Sequence, residues 1–77
     1  MIPIVSGRAV IKILANRFGF QVARQRGSHV ILTKLSLQGK ITTVVPDHAE
    51  LKKGTLLGVL RLARIELEEF LVYYQEK

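Results

Sequence analysis

At 77 residues and without a cysteine, the chain is expected to form one domain over residues 1–77, stapled by neither disulfides nor thiolate-bound zinc. A hydrophobic share of 48% excludes a disordered tail, and no apolar run approaches the roughly 20 residues that span a bilayer. The net charge of +6 and a pI near 10.2 favour nucleic acid or another acidic partner, with cations that merely keep a soluble domain dispersed as the equally weighted alternative. With no signal-peptide layout at its start, the chain is expected in the cytoplasm.

The first element is a helix. Ser6 stands as its N-cap, Val10, Ile13, Leu14 and Phe18 follow at helical spacing, and Gly19 closes it. Phe20 to Gln25 reads as a strand with Phe20 and Val22 on one face and Gln21 and Gln25 on the other. Arg26-Gly27-Ser28 is the turn into a second strand, His29 to Leu35. Ser36-Leu37-Gln38-Gly39 turns again into Lys40 to Val45, the strongest β-former run of the chain, which Pro46 stops.

Asp47 to Lys53 reads as a loop, and Thr55 as the cap of a second helix whose buried stripe is Leu56, Leu57, Leu60 and Ala63. A break at Arg64-Ile65 precedes a short acidic helix from Glu66 to about Tyr74, with Leu67, Phe70 and Leu71 packed inward. Tight turns make the sheet a three-stranded antiparallel meander with helices on one face. The expected fold class is therefore α+β, in the α-β-β-β-α order of double-stranded-RNA-binding domains, with a short extra C-terminal helix.

Charge is distributed unevenly along this plan. No acidic residue precedes Asp47, whereas Arg8, Lys12, Arg17, Arg24, Arg26, Lys34 and Lys40 all do. A phosphodiester is drawn to such a field, and imidazole is the side chain suited to moving a proton within it near neutral pH. If Val30 and Leu32 face the helices, period-two alternation sends His29 to the open face. There it is a candidate general base toward a ribose 2′-hydroxyl or general acid toward a leaving 5′-oxygen.

Around it, Gly27 lets a phosphate approach the backbone, and Ser28 offers a hydroxyl to a phosphate oxygen. The plainer alternative makes Gly27 a turn glycine and His29 an ordinary half-exposed strand residue. His48, in Pro46-Asp47-His48, should lie on the same side of the sheet as His29, since the end of the third strand neighbours the start of the second. Lys52 and Lys53 join a helix N-terminus, an anion-attracting combination that also makes an ordinary loop and cap. Tyr73 and Tyr74 are candidates for base stacking, with core or interface packing as the commoner role. Two histidines and one aspartate give no metal-ligand spacing, so no metal or other cofactor is expected.

Taken together, several stretches resemble the HicA (YcfA-like) family of small mRNA interferase toxins. They are Ser6-Gly7-Arg8-Ala9-Val10-Ile11-Lys12-Ile13-Leu14, Gly19-Phe20 and Arg26-Gly27-Ser28-His29, then Val44-Val45-Pro46-Asp47-His48, Leu51-Lys52-Lys53-Gly54-Thr55-Leu56 and Ile65-Glu66-Leu67-Glu68-Glu69-Phe70. The family pattern often carries a further histidine or an aromatic just after the matching histidine, where this chain has Val30. The resemblance implies a double-stranded-RNA-binding-like fold and metal-independent endoribonuclease activity on mRNA. It further implies a HicB-like antitoxin partner, and His29 as the catalytic residue with Gly27 and Ser28 shaping its site. Arg24, Arg26, Lys52, Lys53 and His48 complete the expected substrate-binding set. The alternative is a non-catalytic RNA-binding module of the same fold.

Overall fold

Ser6 begins the first ordered element by accepting a 3.0 Å hydrogen bond from the Ala9 N–H through its hydroxyl, which satisfies one of the free donors of a helix start. The computed structural model describes residues 2–75; Met1, Glu76 and Lys77, at the ends of the expected 1–77 domain, lie outside it. In chain order the elements are α1 (Gly7–Arg17), β1 (Gln21–Arg26), β2 (His29–Ser36), β3 (Gly39–Pro46), α2 (Lys53–Ala63) and α3 (Leu67–Gln75). The strands form one antiparallel sheet in the order β1-β2-β3, so the expected meander is present.

One face of that sheet carries the core. Val30, Leu32, Ile41 and Val45 project from β2 and β3 against Val10 and Leu14 of α1 and Leu56, Val59, Leu60 and Ala63 of α2. The buried Thr43 hydroxyl donates to the Val59 carbonyl at 2.8 Å, so the polar atom within this layer is satisfied and α2 is pinned across β3. Phe70 of α3 fills the remaining end, and Tyr73 meets Phe18 edge-on at 5.3 Å. Among the described residues no helix packs on the opposite face of the sheet, where His29, Thr42 and Val44 are exposed.

Three local expectations are corrected. α2 begins at Lys53 rather than after Thr55, with Lys52 as an N-cap that makes no side-chain cap hydrogen bond. Thr55 therefore lies inside the first turn. Its inward stripe is Leu56, Val59, Leu60 and Ala63, the i, i+3, i+4, i+7 set, while Leu57 is only partly buried. α1 ends at a Phe18 cap with Gly19 one residue beyond, in the left-handed region at φ 79° that a glycine occupies without strain.

The third correction concerns β1. A bulge between Val22 and Arg24 sets Ala23 outside the regular pairing, so that Val22 opposes Leu32 but Arg24 opposes Ile31. Phe20, Val22, Arg24 and Arg26 share sequence parity and would share a face in an unbroken strand. The extra residue divides them. Phe20 is buried in the core and Val22 stands on that side, while Arg24 and Arg26 turn to the open face. Gln21 and Gln25 are separated by the same irregularity, since Gln21 pairs with Thr33 and Gln25 with Val30.

Candidate active site at one end of the sheet

Two residues, Gly27 and Ser28, join β1 to β2. Gly27 has φ 58° and Ser28 does not have a positive φ, the pattern of a type II′ hairpin turn. A Cβ added at Gly27 would meet nothing within 4 Å, so here glycine serves the turn and leaves open space above the backbone. The Gln25 side-chain amide donates to the Gly27 carbonyl at 3.0 Å and stiffens the loop.

The turn delivers Arg26 and His29 as a directly opposed cross-strand pair, and Pro46 opposes His29 from the other side. Alternation with the buried Val30 and Leu32 directs His29 to the open face, as expected, and its side chain is exposed. Arg24 stands one row further along on that face, opposite Ile31. Among the described residues neither arginine has an ion-pair partner: the salt bridge present joins Arg8 to Asp47 at 3.1 Å. Two forked cations are thus left on the histidine's face with their donors uncommitted.

Behind this row three segments interlock. The Asp47 N–H donates to the Ser28 carbonyl at 2.6 Å, carrying the β2–β3 ladder one step past Pro46. The Gly7 N–H at the start of α1 donates to the His48 carbonyl at 2.9 Å. Gly7 is buried so tightly there that an added Cβ would lie 1.9 Å from the Pro46 carbonyl oxygen. The glycine of close approach is therefore Gly7 and not Gly27. Sequence reasoning passed over it, although a glycine in the first turn of a helix, where a better helix former would stand, was the available signal.

His48 is exposed and lies two residues beyond the partner of His29, so both histidines sit at one end of the sheet. Lys52 and Lys53 are placed elsewhere. They line a hollow of about 230 Å³ with Ile2, Pro3, Ile4, Glu50 and Leu51, and none of the residues around His29 borders it. Tyr73 and Tyr74 are packed, Tyr73 under the Arg17 guanidinium and against Phe18, Tyr74 stacked on Phe70 at 6.2 Å. Both rings are half-buried in these contacts, the packing role expected as the commoner one. Among the described residues no group of three or more His, Cys, Asp or Glu side chains is placed to hold a metal ion, and no helix is long and apolar enough to cross a membrane.

Fold and site define an α+β domain whose bare sheet face is basic and ends in an exposed histidine. The family model described as "HicA toxin of bacterial toxin-antitoxin" matches residues 7–65, well over half of the 77-residue chain, and the chain belongs to that family. No curated protein and no solved structure matches it. The matched span contains the whole sheet, α2 and every residue of the His29 end except the Ser6 cap.

Proposed function

We propose that this toxin is an endoribonuclease that cuts mRNA with His29 as its proton-transfer group and without a metal ion. The observation that carries this reading is the row formed by Arg26 and His29, with Arg24 beside it, on an open face at a rigidly buttressed end of the sheet. In this scheme Arg24 and Arg26 hold the scissile phosphate and balance the charge that gathers on its oxygens. The free space over Gly27 admits the phosphate, and Ser28 donates to one of its oxygens.

His29 takes the proton of the neighbouring 2′-hydroxyl. The 2′-oxygen then bonds to phosphorus, the bond to the 5′-oxygen breaks, and that oxygen takes up a proton. The products are a 2′,3′-cyclic phosphate and a free 5′-hydroxyl, and His29 returns its proton to solvent. Water supplies the proton of the leaving group, and His48, exposed at the same end of the sheet, contacts the substrate. Lys52 and Lys53, around their separate hollow, add long-range attraction for the phosphate backbone rather than contacts at the scissile bond.

Toxins of such pairs are restrained by an antitoxin. A HicB-like antitoxin with an acidic surface covers His29 and is captured quickly by the basic face. Action on mRNA places the protein in the cytoplasm.

The test is cleavage of a defined mRNA by wild type and by His29→Ala, with and without EDTA. Removing the imidazole should lower the rate roughly 10²–10⁴-fold, while EDTA leaves wild type active and the ends carry cyclic phosphate. Circular dichroism should be unchanged, because His29 is exposed and supports no core contact. Wild-type cleavage by a folded His29→Ala protein rejects the assignment. A wild type that binds RNA and leaves it intact instead makes the protein a binding module. His48→Ala should be milder; a loss equal to that of His29→Ala would make His48 the acid of a two-histidine mechanism.

A further inference from the structure

We infer that the open face of the sheet is a track for a single strand of RNA leading to the His29 end, with Thr33 and Thr42 as the residues that discriminate between bases. This deepens the endoribonuclease reading and rests on it for the direction of the track. The strand register assigns the face row by row. Arg26, His29 and Pro46 form its first row, Arg24, Ile31 and Val44 the second, Gln21, Thr33 and Thr42 the third, and Leu35 with Lys40 the last.

The charge on this surface has one sign. No acidic residue occurs before Asp47, so no part of the sheet carries a carboxylate. The cations stand on the two edge strands, Arg24 and Arg26 on β1 and Lys40 on β3, and all three are exposed. The middle is neutral. Cations at the rim with an uncharged floor match a single strand, whose phosphates run along a border while its bases lie flat. A duplex offers the reverse, phosphates outward and bases stacked away from any flat surface. Three strands about 4.8 Å apart make a floor roughly 10 Å wide, which suits one strand better than two.

The floor has no aromatic ring, so stacking gives it little base preference. The Thr33 and Thr42 side chains are directly opposed across β2 and β3, and among the described residues neither hydroxyl is hydrogen-bonded. Each offers one donor and two acceptor positions, enough to distinguish base edges or to engage a 2′-hydroxyl. Ile31 and Val44, in the row between them and the histidine, give an apolar bed for the base next to the cleaved bond. The hairpin register at Gly27-Ser28 puts the β1 arginines on this floor, and the bulge at Ala23 keeps Phe20 on the buried side of the same strand.

The experiment uses the full chain carrying His29→Ala, titrated with a fluorescein-labelled single-stranded RNA of mixed sequence, then with the same RNA annealed to its complement. The single strand should bind more tightly than the duplex. Joint Arg24→Gln and Arg26→Gln substitution should flatten the slope of log affinity against log salt by about 1.4, two lost contacts at about 0.7 each, whereas Lys12→Gln should leave it unchanged. In the His29-containing protein, Thr33→Val and Thr42→Val should redistribute the cleavage sites on a defined mRNA. Valine keeps the shape and strand preference of threonine, and circular dichroism confirms folding.

Tighter duplex binding, or affinity lost with Lys12→Gln and kept with the arginine pair, overturns the track. So does a face whose substitutions abolish antitoxin capture and leave RNA binding alone. If RNA is bound as expected but never cut, the track stands and the endoribonuclease reading fails. If RNA is cut and no open-face substitution matters, the reverse holds.

Discussion

Two residues with special backbone positions should respond to substitution in opposite directions. Gly7→Ala gains about 1 kcal/mol in helix propensity, yet its Cβ would sit 1.9 Å from the Pro46 oxygen. Relieving that contact means moving the strand end that pairs with His29, an overpacking cost of about 1–3 kcal/mol. The expected net effect is lower stability by denaturant unfolding, with a loss of RNA cleavage larger than the loss of folded protein. Arg64 is the converse. It closes α2 in the left-handed region at φ 61°, ψ 41° with its N–H donating to the Leu60 and Arg61 carbonyls. A non-glycine residue there costs about 1–2 kcal/mol, partly offset by the extra freedom glycine has when unfolded. Arg64→Gly should therefore raise Tm by a few degrees in a scanning melt, and a lowered Tm would mean its side chain makes a contact worth more than the strain.

At the scale of elements, the bulge in β1 makes a sharp prediction about chain length. Because Ala23 lies outside the regular pairing, its deletion should yield an unbroken ladder in which Phe20 stays buried and Arg24 and Arg26 stay on the open face. Deleting Gln25 also removes the bulge and leaves Phe20 buried, but it moves Arg24 into the place opposite Val30 and puts Ala23 on the open face. Both deletions should melt near wild type, and only the second should weaken RNA binding. A further element-level contact closes the start of α3: the Glu69 carboxylate accepts from the Glu66 N–H at 3.1 Å, one arm of a capping box. That contact explains why the acidic helix begins where its sequence suggested, after the break at Arg64-Ile65.

At the scale of the whole molecule, the uneven charge governs how the protein meets its partners. RNA binding should weaken steeply with added salt, since phosphate neutralisation releases condensed counterions. Antitoxin capture should slow over the same range, because its association is steered by the same field. If the antitoxin covers His29, RNA and antitoxin compete, and amide chemical shifts of α1 and α2 away from the site should be alike in the free and bound toxin. A ternary complex with His29 still accessible to chemical modification would show that restraint works by another route. A 77-residue chain buries only about 60% of its extended surface, so the domain has little stability to spare for distortion, and occlusion is the less costly means of control.

Much of this protein was legible from local pattern. The two strands His29–Leu35 and Lys40–Val45 were found to within a residue because alternation and β-branched side chains act within a few positions of the chain. The exposure of His29 followed from the same alternation, and the helix starting at Ser6 from a cap that acts over three residues. Where α2 begins was missed because Gly54 and Thr55 are loop and cap residues by local preference. The Leu56, Val59, Leu60, Ala63 stripe, packed on the sheet, holds the turn before them helical. The side of the sheet taken by Arg24 and Arg26, and the contact that makes Gly7 necessary, are set by pairing between residues distant in sequence. Periodicity within one strand cannot report an extra residue that only the neighbouring strand reveals. The amino-acid sequence alone thus determined the elements, their order and the histidine's place, while the register between strands decided which cations share its face.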